Sequence, residues 1–294
     1  MIHWLTTPFQ YPFMVRAFAA SVLVSGLCSI VGAYVVLRSM AFLGDALAHS
    51  VLPGIAAGLL VSGRGDRRSL FWWALGTAVA VALGVGWIGE RGRLREDTAI
   101  GIVFAGMFAL GVALLSTVRG FAVDLVHILF GNVLGVSMWD LQVIGGFGMV
   151  VLLIVVLFYK EFLVVTFDPT FAATLRIRAS FYRRLLLVLV AVVVVVSLQT
   201  VGLGLMLAML ITPATTAFLL TRRLPWMMGI GAAVGILSGV LGLYLSFYWG
   251  IASGAAIVLV AIGFFLVALL VSRRRGLFRR RSPRDTPHHS VAAE

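Results

Sequence analysis

The sequence predicts an all-α polytopic membrane protein, with about nine transmembrane helices in a range of eight to ten, a short re-entrant helix and a surface helix. Three observations carry that prediction. Hydrophobic residues make up 61% of the 294 and charged residues only 12%, against roughly 25% charged in an average soluble domain. The apolar residues fall in runs of the length a helix needs to cross a bilayer. The 23 Lys and Arg are clustered between those runs and at the end of the chain.

The charge balance of +12 therefore reports basic loops beside anionic lipid, and no soluble basic domain is present that would suit a nucleic acid. One cysteine, Cys28, excludes an internal disulfide framework and a cysteine-rich soft-metal site.

Taken in order, residues 1–12 mix Trp4, Phe9 and Tyr11 with Pro8 and Pro12, which suits an interfacial segment. A first span covers about 13–37; it lacks a basic leader and is followed by further spans, so it does not read as a cleavable signal peptide. A second follows Arg38 to about 62. The loop GRGDRR at 63–68 precedes a third at about 70–89, and ERGRLRED at 90–97 precedes a fourth at about 98–118. Residues 121–136 are too short and polar for a span and read as the re-entrant helix. A fifth span covers about 141–159.

The longest polar connection is 160–184. Asp168 followed by Pro169 is an N-cap and first-turn signal, so a surface helix is expected from Asp168 to about 180. Residues 185–220 suffice for two helices, with Gln199, Gly202, Gly204 and Pro213 marking the zone of interruption. Spans at about 226–247 and 251–271 complete the transmembrane body at 1–272. Residues 273–294 form a basic tail too poor in apolar residues to fold alone. Gly231, Gly235 and Gly239 form a small-residue ladder for close helix packing. Placing 90–97, 160–184, 222–223 and the tail in the cytoplasm satisfies the positive-inside rule and puts the N-terminus outside; GRGDRR then stands outside against the rule.

The chemistry concentrates at 38–58. Asp45 and His49 are four residues apart, so on a helix a carboxylate and an imidazole share one face and can converge on one ion. Pro53, four further on, has no N–H to offer the carbonyl of His49 and kinks the helix there. Such groups inside hydrocarbon mark an ion path more often than a structural pair. Imidazole nitrogen with carboxylate oxygen suits Mn(II), Fe(II) or Zn(II) rather than Cu(I). Asp124 and His127 form a second candidate metal pair at i and i+3. Glu96 and Asp97 read first as acidic residues complementing a helix N-terminus, with an exit or gating role as the second reading.

Five stretches, GDALAHSVLPG (44–54), EDTAIGIVF (96–104), DLVHILFGNVLGVS (124–137), FDPTFAATLRI (167–177) and QTVGLGLMLAMLITPATTAFLL (199–220), resemble in sequence and order the membrane subunits of manganese, zinc and iron ATP-binding-cassette importers. The resemblance covers about 10–272. It implies a homodimeric or paired permease of the cell membrane, not itself an enzyme. It implies an ATP-binding cassette ATPase subunit on the cytoplasmic side and an extracytoplasmic metal-binding protein on the other. Asp45 and His49 match the family's intramembrane metal residues. The segment containing Asp168, Pro169, Phe171, Ala172 and Leu175 matches the helix that docks into the ATPase; where many members have a glycine, this chain has Arg176. The metal is cargo, and no permanently bound cofactor is expected. The phosphate-binding pattern GxxxxGK[ST] is absent from the chain, which puts ATP on the partner. The rival reading is an ion-coupled secondary metal carrier with helices broken at Pro53 and Pro213. An intramembrane metalloenzyme fits less well, because no HExxH helix is present.

Overall fold

The structure, a computed structural model, describes residues 6–62, 67–92, 94–117 and 133–279. They form helices α1 (Pro12–Leu37), α2 (Leu43–Ser50), α3 (Leu52–Ser62), α4 (Arg67–Arg91), α5 (Glu96–Ser116), α6 (Met138–Leu157), α7 (Tyr159–Phe167), α8 (Pro169–Thr174), α9 (Ala179–Val201), α10 (Leu203–Leu220), α11 (Leu224–Trp249) and α12 (Ser253–Arg279). With α2 and α3 taken as one broken element, nine helices among the described residues are long and apolar enough to cross a membrane.

Three spans form the centre. In the most apolar stretches of α9, α1 and the broken α2–α3 element, 72%, 67% and 67% of residues are buried, against 17% in α5. Helix α1 packs against α11, α10, α9 and α6, while α9 also packs on α4. Close approach rests on small residues, as the glycine ladder predicts. A Cβ on Gly239 would lie 2.0 Å from Ser21 Oγ, one on Gly235 2.9 Å from Ser29 Oγ, and one on Gly32 2.0 Å from the Leu210 carbonyl oxygen. Ahead of α1, a 3-10 turn at Thr7–Gln10 lets Phe9 stack on Phe18 with ring centroids 5.0 Å apart. The interfacial segment thus folds back over the helices it precedes.

Three local expectations change. The interruption in 185–220 falls at Gly202 alone, whose φ of 85° suits a residue without Cβ; α10 runs through Pro213 unbroken. The surface helix stops at Thr174 instead of continuing to about 180. Arg176 takes the left-handed conformation, φ 57°, and Ile177 N–H donates to the Ala172 carbonyl at 3.0 Å, the 6→1 bond that closes a helix C-terminus. Arginine here does what glycine usually does. Finally, 159–167 is helical ahead of that surface helix, because Phe162 and Val165 bury against the bundle.

The two arginines that close the GRGDRR loop, Arg67 and Arg68, both have partners on α6. Arg67 Nη2 lies 3.2 Å from Asp140 Oδ2, and the Arg68 guanidinium sits 5.9 Å from the Trp139 ring centroid. Asp140, 1% exposed, also completes a capping box with Ser137 at the start of α6. A paired guanidinium presents less free positive charge to the lipid surface. Of the proposed re-entrant helix, only a 3-10 turn at Val133–Gly135 is described; the remainder lies outside the described residues. The last helix continues to Arg279.

Candidate metal-translocation site

Helix α2 owes its position to its composition. Leu43, Leu47, Ala46 and Ala48 are buried, and Gly44 lets α10 approach so closely that a Cβ there would meet Leu210 Cδ2 at 2.8 Å. Asp45 and His49 are left on the remaining face, with 33% and 26% of their side chains exposed, and His49 Nε2 is 3.5 Å from Asp45 Oδ1. The predicted pair is therefore brought together. His49 Nδ1 is buried and has no hydrogen-bond partner among the described residues. An unpaired buried nitrogen is costly, so the imidazole is not explained as a satisfied core residue.

The break predicted at Pro53 is present. Helix α2 ends at Ser50 and α3 starts at Leu52, which puts Pro53 in a first turn, where its missing N–H is tolerated. Two neighbours clamp this joint. A Cβ on Gly54 would stand 2.1 Å from Thr77 Oγ1 of α4, and one on Gly111 of α5 would stand 2.7 Å from Leu52 Cβ and 3.0 Å from Pro53 Cδ. Helix α5 also supplies an aromatic wall, with Phe104 and Phe108 centroids 6.3 and 6.0 Å from that of His49. Gly111, Phe104 and Phe108 carry no local signal as site residues. Phenylalanine and glycine are ordinary in a span, and only the packing of α5 on α2 and α3 gives them this place.

Two side-chain donors are fewer than a bound divalent ion requires. Among the described residues no group of three or more His, Cys, Asp and Glu gathers, so the described residues of one protomer offer a partial shell. Asp124 and His127 lie outside the described residues.

The predicted surface helix is the short helix α8. Asp168 caps it, its Oδ1 accepting from Phe171 N–H at 2.9 Å, and Pro169 opens it. Ala172 is fully buried, while Phe171 and Leu175, one turn apart, are 52% and 51% exposed. Helix α8 packs on α7 and on the start of α9.

Comparison with known proteins places this architecture. Over 271 residues the chain is 44% identical to the manganese transport system membrane protein MntC of Halalkalibacterium halodurans, covering 92% of this chain and 91% of that one. A protein of Haemophilus influenzae described as a probable iron transport system membrane protein is 37% identical over 275 residues, covering 94% and 99%. Among solved structures, PsaBC from Streptococcus pneumoniae in complex with Fab superposes with a TM-score of 0.79 at 33% identity, over 96% of this chain and 100% of that chain. Residues 10–272 match the ABC 3 transport family, and the chain is a member of that family, a multi-pass protein of the cell membrane.

Proposed function

We propose that this chain is the permease subunit through which a divalent transition-metal ion, Mn(II) first among Mn, Fe and Zn, is imported at the expense of ATP hydrolysed by a separate subunit. One observation carries the reading: Asp45 and His49 converge within 3.5 Å on a broken helix inside the bundle, with one imidazole nitrogen left without a partner among the described residues. The names of the relatives support the choice of metal. Carboxylate and imidazole suit these ions, and affinity order alone does not separate them.

A partial shell is also what transit calls for, since an ion must enter readily and still leave. Two protomers set face to face would bring two such pairs to one ion, which makes a homodimer or paired permease the working unit. The extracytoplasmic metal-binding protein delivers the ion at the outer end, and α8 meets the ATPase at the cytoplasmic end. Phe171 and Leu175 are shaped for that contact as a helix-in-groove plug. An ion-coupled carrier would have no use for α8.

The test is Mn(II) uptake by cells or proteoliposomes containing the chain with its ATPase subunit. Asp45→Ala and His49→Ala are each expected to abolish uptake while the protein still reaches the membrane. Near-normal uptake in both removes the pair from the path, and uptake driven by a proton or sodium gradient without ATP overturns the ATP-driven reading.

A further inference from the structure

Charged side chains from three spans meet at the end of the molecule that carries α8. Arg38, the residue after α1, and Arg183, in the first turns of α9, both pair with Oε1 of Glu96, the first residue of α5. The Arg183 Nε to Glu96 Oε1 distance is 2.5 Å. Beside them Arg184 Nε lies 3.5 Å from Glu90 Oε1 at the end of α4. The Arg38 side chain is only 9% exposed. Burial lowers the pKa of its guanidinium, and the charge of Glu96 opposes that shift. Without the carboxylate, two arginines would face each other across a largely dry contact.

The arms of this joint lead to the two ends of the transport machinery. On one side, α8 is joined to α9 through the tight turn at Arg176. The start of α9 is locked to α7 by Tyr182, whose ring centroid is 5.6 Å from that of Phe158 and 6.1 Å from that of Phe162. A displacement of α8 is therefore carried into the first turns of α9, where Arg183 sits. On the other side, Arg38 begins the short turn that leads into α2, with Ser39 at φ 57°, and Asp45 lies on the first turn of α2. Helix α5, which starts at Glu96, is also the helix that walls His49 and clamps Pro53.

We propose that Glu96 is the positioning residue of metal transport in this chain, a shared carboxylate that couples movement of α8 to the helix holding Asp45 and His49. It touches neither the ion nor ATP. The proposal rests on the reading that α8 meets the ATPase.

The experiment uses the permease reconstituted in liposomes with its ATPase and metal-binding subunits, measuring Mn(II) uptake and ATP hydrolysis on the same preparation. With E96Q, uptake is expected to fall about tenfold, inside the 5–150-fold span of typical coupling free energies, while hydrolysis stays within about twofold of wild type. R183Q is expected to act the same way. The double variant is expected to be no worse than the worse single one, because the Arg183–Glu96 contact that R183Q removes is already lost in E96Q. R183Q is also the safeguard, since Arg183 is 26% exposed and its loss leaves the Arg38–Glu96 pair in place. If E96Q fails to insert, R183Q alone decides. A wild-type ratio of ions moved to ATP hydrolysed in R183Q, or additive losses in the double variant, overturns the proposal. A wild-type complex that moves Mn(II) without needing ATP overturns instead the reading on which it rests.

Discussion

The docking role assigned to α8 is open to a direct thermodynamic test. Truncating Phe171 and Leu175 to alanine removes two apolar side chains that sit half exposed, 52% and 51%, one on α8 and one on the residue that follows it. Burying a whole side chain of this size is worth about 1.5–3 kcal/mol. Roughly half of each surface is already covered within the chain, so a partner cleft gains about 1 kcal/mol from each and about 2 kcal/mol from the pair, or about thirtyfold in Kd. Glutamate at both positions also forces carboxylates into an apolar cleft, which takes the loss beyond about a hundredfold. The assay is titration of the purified permease in nanodiscs with a labelled ATPase subunit, followed by ATP hydrolysis and Mn(II) uptake. The permease's own melting temperature is expected to stay put, because the deleted atoms lie on the surface. Binding within about threefold of wild type for the double alanine variant, a difference of under 1 kcal/mol, would refute the plug.

Mn(II) binding should weaken on acidification, because ligation needs a neutral imidazole and an ionised carboxylate; binding titrations between neutral and mildly acid pH that superimpose would exclude His49 as a ligand. Gly54→Val should destabilise the chain by about 1–3 kcal/mol, since its Cβ would sit 2.1 Å from Thr77 Oγ1 and 2.6 Å from the Trp73 carbonyl oxygen, and a thermal melt in detergent reads this out. Asp140→Ala removes the capping partner at the start of α6 and should cost about 1 kcal/mol in the same melt, with no loss of Mn(II) binding. Deleting residues 282–294 should leave uptake largely intact, and loss of uptake with normal insertion would reveal a function for the tail.

Much about this protein is written locally in the chain. Spans are legible because the cost of exposing backbone and charge to hydrocarbon is set residue by residue, so run length and charge placement are enough to locate them. The Asp45–His49 pair is legible for the same reason, since a spacing of four fixes a shared helix face without reference to any other element. Pro53 and the Asp168-Pro169 start act through their own missing or capped backbone groups. The remaining features depend on partners distant in sequence. Pro213 looks as much like a breaker as Gly202 does, yet only Gly202 adopts the backbone conformation that separates α9 from α10. Arg176 holds a glycine's conformation, closed by a bond from the residue after it to Ala172. Glu96 reads as a helix-start acid until α1 and α9 deliver Arg38 and Arg183 to the same oxygen. The phenylalanines beside His49 and the clamp of Gly111 on Pro53 exist only once α5 lies against α2 and α3. Packing of helices against one another is a property of pairs of surfaces, and no single segment carries it.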